Sequence, residues 1–419
     1  MTDSALPYRI FDADQHTNPG VPDMFERYID PKHRDKAIKT IELPDGRTER
    51  FYAGRPARLA PTKGKQFQIT FSDEQLEELG IRGNGVDAEG ALVPGSLLNK
   101  LNPLRTLDED GRQEFVKKYR HLSTDYGTPE LRLSIMDMQG IEKTMNYFDI
   151  GLESNLGHDV EALYANQHAA NRCYAETWGF NYENRICTPP FISCADVELA
   201  TIELDYVMSL GAPVIQISTG PSVGRSPFRA EMDPFWAKVN EAGIGVCTHL
   251  ADVTYYGAHG TEWDESEVYV SDMTALQWVL YAGDRPAYET VAAAILQGWM
   301  AKFPNIKLLL SEQGTVWVPY LVRKMDHAFL MGRRGTWAQL DMRPSEYFRQ
   351  RVFVAPFPEE NVERVVEAVG IDPIVFGSDF PHGEGLPDPA LYLPQLKSFT
   401  DVQQKQIMRD NLERFFAAA

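Results

Sequence analysis

Short apolar runs recur along the chain, and most of them are apolar over their whole length instead of alternating with polar residues. Strands that are covered on both faces in a parallel sheet have this pattern. We therefore predict eight strands, at Tyr8–Asp14, Lys143–Phe148, Ile186–Ser193, Pro213–Ser218, Ile244–His249, Ile306–Glu312, Arg351–Ala355 and Pro373–Asp379.

Segments with helical spacing lie between these runs. From Pro358 to Gly370, valines recur at i, i+3, i+4 and i+7, and the glycine stands where a C-terminal cap is expected. Asp233 to Gly243 begins with a capping residue and a proline, and Tyr288 to Phe303 is a third helical segment. Alternating strands and helices are typical of βαβ units, and eight strands favour a closed barrel. The pattern predicts an α/β fold, a (β/α)8 TIM barrel that residues 1–419 form as a single domain.

Two long insertions interrupt this alternation. Residues 20–130 follow the first strand and contain a predicted hairpin at residues 43–46, where Asp-Gly is a strong turn signal. The second insertion, residues 251–284, follows the fifth strand. Loops after barrel strands lie over the face that carries barrel active sites, so we expect both insertions to form a lid over the substrate. For the glycine-rich part, residues 80–95, a solvated surface loop is the alternative.

Composition and charge exclude several classes of protein. Hydrophobic residues make up 43% and charged residues 24% of the 419 residues, as in ordinary globular proteins. The net charge of −19, with no basic block, argues against nucleic-acid binding. No apolar run approaches about 18 residues, and the N-terminus has no basic start, so we expect neither a membrane span nor a signal peptide.

The four cysteines, Cys173, Cys187, Cys194 and Cys247, form no C-x-x-C pair. This spacing argues against a cysteine-rich zinc site, and the count is too low for a disulfide scaffold. Reduced thiols and a cytoplasmic location are therefore the expectation.

Ionisable residues close four of the predicted strands. Asp14 and His16 lie two apart at the end of the first strand, so both can face the barrel mouth. His249 ends the fifth strand, Glu312 the sixth and Asp379 the eighth. Each has an alternative explanation as a core residue with a satisfied side chain. Their coincidence at the C-terminal ends of strands, where barrel enzymes place their chemistry, predicts a metal site.

Two further ionisable residues follow the last strand closely. His382 and Glu384 come three and five residues after Asp379. They could bind the metal, orient one of its ligands or gate the substrate. Orientation of a ligand is our default interpretation.

The chain also resembles a known family. Five motifs in this order carry the resemblance: Ile10-Phe11-Asp12-x-Asp14-x-His16, Met136-Asp137-x-x-Gly140-Ile141, Asp233-Pro234-Phe235-Trp236 leading to His249, Phe303-Pro304-x-Ile306-Lys307, and Gly377-Ser378-Asp379-Phe380-Pro381-His382. They are similar to those of the amidohydrolase-related metal-dependent barrels, a superfamily of small-molecule hydrolases and decarboxylases. The resemblance covers the first strand and nearly everything from residue 136 onward, but not residues 20–130.

Three positions depart from the pattern of that family. Asp14 replaces the first histidine of the usual His-x-His, and Glu312 replaces the usual histidine at the end of the sixth strand. The fourth strand, Val214 to Ser218, lacks the bridging lysine of the binuclear hydrolases. The first two changes add carboxylates, and mixed histidine and carboxylate ligands suit iron. In this respect the chain resembles a small group of amidohydrolase-like barrels typified by the nonheme diiron monooxygenase of platensimycin and platencin biosynthesis.

Three functional hypotheses follow. The leading hypothesis, implied by that resemblance, is a monooxygenase of secondary metabolism with two irons per chain, which uses dioxygen to hydroxylate a bulky, CoA-linked, diterpenoid-type substrate. The resemblance assigns as metal ligands Asp14, His16, His249, Glu312, Asp379 and His382, with the last three also catalytic, and it implies a homodimer. The alternative is a hydrolase or decarboxylase with one Zn or Mn per chain, in which Asp379 is the general base and Glu312 transfers a proton. The third is a non-catalytic binding protein on a decayed barrel.

Overall fold

The computed structural model describes most of the chain. The described ranges are residues 6–17, 20–42, 48–57, 127–148, 150–250, 284–332, 340–382 and 384–417, together with residues 118, 119, 122, 263, 264, 275, 276 and 279. The glycine-rich loop and nearly all of the second insertion lie outside the described residues, so their predicted role as a lid remains a prediction.

Eleven strands occur in the described residues, in three sheets. One sheet has the order β1-β5-β7-β6, a second has the order β11-β10-β9-β8, and a small antiparallel sheet has the order β2-β3-β4. The strands are β1 (Ile10–His16), β2 (Lys39–Glu42), β3 (Thr48–Tyr52), β4 (Arg55–Pro56), β5 (Ile141–Tyr147), β6 (Asn181–Tyr182), β7 (Ile186–Cys187), β8 (Val214–Gln216), β9 (Gly245–His249), β10 (Leu308–Ser311) and β11 (Val352–Val354).

Isolated parallel bridges link the two larger sheets to chain segments outside their regular strands. Phe191 pairs with Gln216 at one edge, and at the other the segment 373–380 pairs with both β11 and β1. There Val375 N donates to Val354 O at 3.0 Å and Ala13 N donates to Phe376 O at 2.8 Å. The predicted α/β fold with parallel strands is therefore confirmed. The third predicted strand is regular only at Ile186–Cys187, and the eighth is a set of bridges rather than a regular strand.

Helices follow most of the strands, as predicted. They are α1 (Met24–Tyr28), α2 (Pro129–Gln139), α3 (Leu152–Leu156), α4 (Val160–Thr177), α5 (Val197–Ser209), α6 (Asp233–Ala242), α7 (Asp284–Leu296), α8 (Trp299–Lys302), α9 (Val318–Met331), α10 (Pro344–Arg351), α11 (Val362–Val369), α12 (Asp401–Lys405) and α13 (Asn411–Phe416). Gly243 follows α6 in the left-handed conformation expected of a C-terminal cap. The third predicted helix is two helices, α7 and α8, with Gly298 in the left-handed conformation between them.

The apolar core has two parts. One cluster contains a residue from each of seven parallel strands and from the segment 373–380, among them Phe11, Tyr147, Cys247, Leu309 and Val375. The larger cluster fills the space between strands and helices. Strands that are buried on both sides account for the uninterrupted apolar runs in the sequence.

The first part of the predicted insertion folds into its own small unit. The pairing of β2 with β3 confirms the strands of the predicted hairpin, whereas its turn lies outside the described residues. Asp159 at the start of α4 ties this unit to the core, because it accepts hydrogen bonds from Tyr52 at 2.7 Å and Lys36 at 3.2 Å. Among the described residues, none of the helices combines the length and the apolar character that a membrane crossing requires.

Candidate metal centre

The strand ends bring the predicted site residues together. Asp14 and His16 belong to β1, His249 is the last residue of β9, and Glu312 directly follows β10. The parallel register pairs Ser311 with His249, so Glu312 lies just beyond the end of β9. Asp379 reaches the same place because its backbone N–H donates to the carbonyl of Asp14 at 2.9 Å.

Four side chains form a tight group. Asp14 Oδ1 lies 3.2 Å from His16 Nε2 and 3.4 Å from His249 Nε2. Glu312 Oε2 lies 3.2 Å from His249 Nε2 and 3.8 Å from His16 Nε2. Both imidazoles are fully buried, whereas the Glu312 side chain is 12% exposed. These four residues could hold a metal ion.

The spacing of these atoms matches one coordination shell. Bonds from a metal to histidine nitrogen or carboxylate oxygen are about 2.0–2.2 Å long, so neighbouring ligand atoms lie about 3.0 Å apart in an octahedron and about 3.5 Å apart in a tetrahedron. The distances from Asp14 Oδ1 to His16 Nε2, 3.2 Å, and to His249 Nε2, 3.4 Å, fall in this range. The donor set therefore fits a divalent ion.

A second group overlaps the first. His16, Glu312, Asp379 and His382 also offer donor atoms close enough to hold an ion. Asp379 Oδ1 lies 3.0 Å from His16 Nε2 and 2.6 Å from His382 Nδ1. The His382 ring stacks on the His16 ring with centroids 3.9 Å apart. All six residues predicted from the sequence are thus in one place, and their role as ligands remains a prediction.

The two carboxylates that follow strands have unusual backbone conformations. Glu312 has a φ of 52° and Asp379 has a φ of 56°. This left-handed region is uncommon for residues other than glycine, and such residues concentrate at functional sites. At each of these two residues the backbone turns sharply, so that the carboxylate lies next to the imidazoles.

The pKa values of the two acids in the first group, Asp14 and Glu312, shift in opposite directions. Burial raises the pKa of Asp14, but hydrogen bonds and charge interactions with His16 and His249 outweigh it and lower the pKa to about 2. Burial, and then the negative charge of Asp379, raises the pKa of Glu312 well above its usual value. The carboxylates repel one another, and a bound cation would offset that repulsion.

Strand alternation is only part of the reason that Asp14 and His16 meet. The register of β1 against β5 shifts between Asp12 and Gln15. Such bulges re-aim side chains and often lie next to active sites. The sequence predicts that both side chains face the barrel mouth, and in the structure Asp14 Oδ1 and His16 Nε2 lie 3.2 Å apart although the strand between them is irregular.

Sequence reasoning assigned no role to a buried polar network beneath the ligands. Arg132 of α2 donates hydrogen bonds to Gln15 and to the carbonyl of His16. Gln15 in turn donates to Asp12, which accepts the backbone N–H of Asp14 and of Ser378. Asp12 belongs to the first family motif and Met136 and Asp137 of α2 to the second, but neither motif includes Arg132 or indicates this network.

Known proteins resemble the chain as follows. A model of the amidohydrolase family matches residues 110–417. A solved amidohydrolase from Mycobacterium avium subsp. paratuberculosis K-10 is 27% identical, with 99% of this chain and 100% of that chain covered and a TM-score of 0.78. None of the curated proteins matches.

Two solved decarboxylases share the fold at lower identity. 2,6-Dihydroxybenzoate decarboxylase from Rhizobium is 20% identical, with 72% of this chain and 91% of that chain covered and a TM-score of 0.51. 5-Carboxyvanillate decarboxylase from Novosphingobium aromaticivorans, solved with manganese and 3-methoxy-4-hydroxy-5-nitrobenzoic acid, is 16% identical, with 77% and 89% covered and a TM-score of 0.54. At these identities the similarity concerns the fold alone. Because the family model matches well over half of its length, the chain belongs to the amidohydrolase family.

Proposed function

We propose that this protein is a metal-dependent hydrolase or decarboxylase that acts on a small organic substrate with one divalent ion per chain. The observation that carries the proposal is the set of three buried donors, Asp14 Oδ1, His16 Nε2 and His249 Nε2, at the spacing of one coordination shell. Three protein ligands and an open position are typical of catalytic metal sites, whereas structural sites are closed.

Nitrogen and oxygen donors without sulfur suit zinc or manganese. When bound, such an ion supplies Lewis-acid polarisation of a substrate carboxylate or carbonyl and makes water more acidic. The two most exposed groups of the site, Glu312 and Asp379, have side chains 12% and 13% exposed, against 4% for Asp14. The substrate therefore approaches from the side of Glu312 and Asp379.

These two carboxyl groups are placed to move protons. In a decarboxylation, the bond to the carboxyl carbon breaks, the electron pair stays on the substrate carbon, and a proton replaces carbon dioxide there. Glu312, 3.2 Å from His249, can deliver that proton. In a hydrolysis, Asp379 takes a proton from water, and His382, 2.6 Å away, holds its carboxylate in place.

The comparisons support this proposal in two ways. The chain matches the amidohydrolase family and is similar along its whole length to a solved amidohydrolase. The two decarboxylases of the same fold act on aromatic acids, and one of them was solved with manganese. The same fold similarity supports our inference that the two joined sheets form one (β/α)8 barrel.

A second candidate function rests on the overlap of the two ligand groups. His16 and Glu312 belong to both groups, so two adjacent ions could share the site. Three carboxylates among the ligands suit two irons that react with dioxygen, as the monooxygenase hypothesis requires. A CoA-linked substrate and a homodimer belong to this hypothesis. The comparisons favour the first candidate, because the similar proteins described above are an amidohydrolase and two decarboxylases.

Metal content and gas exchange separate the candidates. Elemental mass spectrometry of the purified protein counts ions per chain, and the metal-free protein is then reloaded with Mn²⁺, Zn²⁺ or Fe²⁺. One ion per chain, with carbon dioxide release from hydroxybenzoic acids or hydrolysis of esters and amides, supports the first candidate. Two irons with substrate-dependent oxygen consumption support the second. If the protein binds no metal and Asp14→Ala has no effect on it, the result supports the third hypothesis, a non-catalytic binding protein.

A further inference from the structure

Arg132 is a buried cation close to the metal centre. It is 1% exposed and lies near the start of α2, between the rings of Phe380 and Trp178, whose centroids are 5.2 Å and 5.9 Å from its guanidinium carbon. Removing a guanidinium from water is costly unless hydrogen bonds and nearby aromatic faces compensate. The groups that the buried guanidinium contacts should therefore explain why an arginine lies in this position.

The guanidinium contacts the end of β1 through two of its nitrogens. Nη2 donates to the backbone carbonyl of His16 at 2.6 Å, and Nη1 donates to Gln15 Oε1 at 3.0 Å. Nη1 also lies 3.4 Å from Asn146 Oδ1 on β5. A planar fork of this kind is specific to arginine, since lysine presents one point charge on a flexible stem.

Gln15 links Arg132 to Asp12 through its side-chain amide. Its Nε2 donates to Asp12 Oδ2 at 3.0 Å, while its Oε1 accepts from Arg132, so both ends of the amide are used. Asp12 Oδ1 then accepts the backbone N–H of Asp14 at 3.1 Å and of Ser378 at 2.9 Å. The chain of hydrogen bonds thus ends on the backbone of Asp14 and of the residue before Asp379.

We infer that Arg132 is a positioning residue of the metal centre, which through Gln15 and Asp12 sets the places of Asp14, His16 and Asp379. The inference rests on the proposed metal site and adds a residue that contacts neither the ion nor the substrate. Arg132 and Asp12 are joined by the neutral amide of Gln15, which accepts from Arg132 and donates to Asp12. Together with backbone hydrogen bonds such as that from Asp379 N to Asp14 O, they hold β1 and the segment 373–380 side by side.

The test compares Arg132→Met and Arg132→Lys with a matched control. Arg351→Met removes another buried arginine, which donates to the carbonyl of Phe303 at 3.2 Å and lies 5.1 Å from the Tyr347 ring, away from the ligands. For each variant, Mn²⁺ affinity is measured by competition with a chelator, the Co²⁺ form gives a visible spectrum, and melting is followed in the metal-free protein. Loss of outer contacts of a metal site typically weakens binding about 10- to 100-fold.

We expect Arg132→Met to weaken Mn²⁺ binding by about 10- to 100-fold and to shift the Co²⁺ bands, with Arg132→Lys in between. Arg351→Met should lower the melting temperature without changing affinity or spectrum. Gln15→Met removes both the acceptor of Arg132 Nη1 and the donor to Asp12. It is the second variant if Arg132→Met fails to fold, and weaker Mn²⁺ binding is again expected. Unchanged affinity and spectrum in folded Arg132→Met or Gln15→Met overturn the inference while leaving the metal centre intact. A wild-type protein without Mn²⁺ or Co²⁺ binding overturns both.

Discussion

The two halves of the metal centre are held by different kinds of contact. On the β9–β10 side, His249 and Glu312 come from strands paired in regular parallel register. The side chains beneath them form neutral hydrogen bonds, with Thr248 donating to Gln313 at 3.2 Å. On the β1 side, pairing is irregular, and the backbone is held by the buried guanidinium of Arg132 and by the carboxyl group of Asp12, whose pKa burial raises to about 7.

The difference shows which contacts fix the positions of the proposed ligands in each half of the metal centre. Regular strand pairing follows from apolar residues and sets the register of His249, whose carbonyl also accepts a hydrogen bond from the Thr219 hydroxyl at 3.1 Å. An irregular strand has no such register, so the ends of β1 need side-chain contacts to the backbone. Each contact on the β1 side is buried, which makes it strong when satisfied and costly when one partner is lost. We therefore expect the β1 half to be more sensitive to substitution than the β9–β10 half.

The largest effect should come from removing a ligand itself. His249→Ala deletes one of the three donors of the proposed ion, so metal binding should be lost by more than the 100-fold or so expected of outer contacts. His168→Ala is the matched control, because His168 is paired with Glu203 at 2.8 Å on the far side of α4. Elemental analysis after dialysis measures the outcome. If His249→Ala retains its full metal content, His249 is not a ligand of the ion.

Glu312→Gln separates proton transfer from metal binding. If Glu312 delivers a proton, kcat should fall by about 10²- to 10⁴-fold while the metal content stays at one ion per chain. Glu360→Gln changes another buried carboxylate, which accepts the backbone N–H of Thr315, and should alter stability rather than kcat. Loss of metal together with activity in Glu312→Gln points instead to a ligand role, as the two-iron hypothesis requires.

Gln313→Leu tests the neutral half of the centre. Gln313 accepts from Thr248 and donates to Thr219 at 2.6 Å, so its loss removes the acceptor of the Thr248 hydroxyl and one of the two partners of the Thr219 hydroxyl. The free energy of unfolding should fall by about 1–3 kcal/mol, as measured by urea denaturation of the metal-free protein. Metal affinity should change less than in Gln15→Leu, the equivalent change on the β1 side. If both variants lose the same metal affinity, the claim that the β1 half is the more sensitive to substitution is wrong.

Much of the site could be predicted from the sequence because strand ends are simple signals. An apolar run that stops at His249 or at Glu312 predicts both a strand and a residue at its rim. Arg132 could not be found this way, since a buried arginine on a helix looks like any charged residue on an amphipathic surface. The eighth predicted strand shows the same limit. Its apolar residues 373–376 predict burial correctly, but they do not show that it pairs only through isolated bridges.

The smallest effect concerns Asp159, which accepts a backbone N–H as Asp12 does but is more exposed to solvent. It accepts the N–H of Ala162 at 3.0 Å as the cap of α4, as well as Tyr52 and Lys36. These contacts, chiefly the Ala162 N–H, lower its pKa to about 2. Asp159→Ala should reduce the free energy of unfolding by about 0.5–2 kcal/mol at neutral pH, as for other lost caps.

The sign of the pH dependence at Asp159 follows from its lowered pKa. An unfolded aspartate titrates near 3.9, so the charged contacts stabilise the fold fully above about pH 4. They are lost as the pH falls from about 4 towards 2, and the difference between wild type and Asp159→Ala should shrink over that range. Asp205→Ala, which breaks an exposed pair with Lys238, should have little effect at any pH. Urea denaturation at pH 6 and pH 3 measures both. An Asp159→Ala difference that is the same at the two pH values would mean that the charge of this carboxylate contributes nothing to stability.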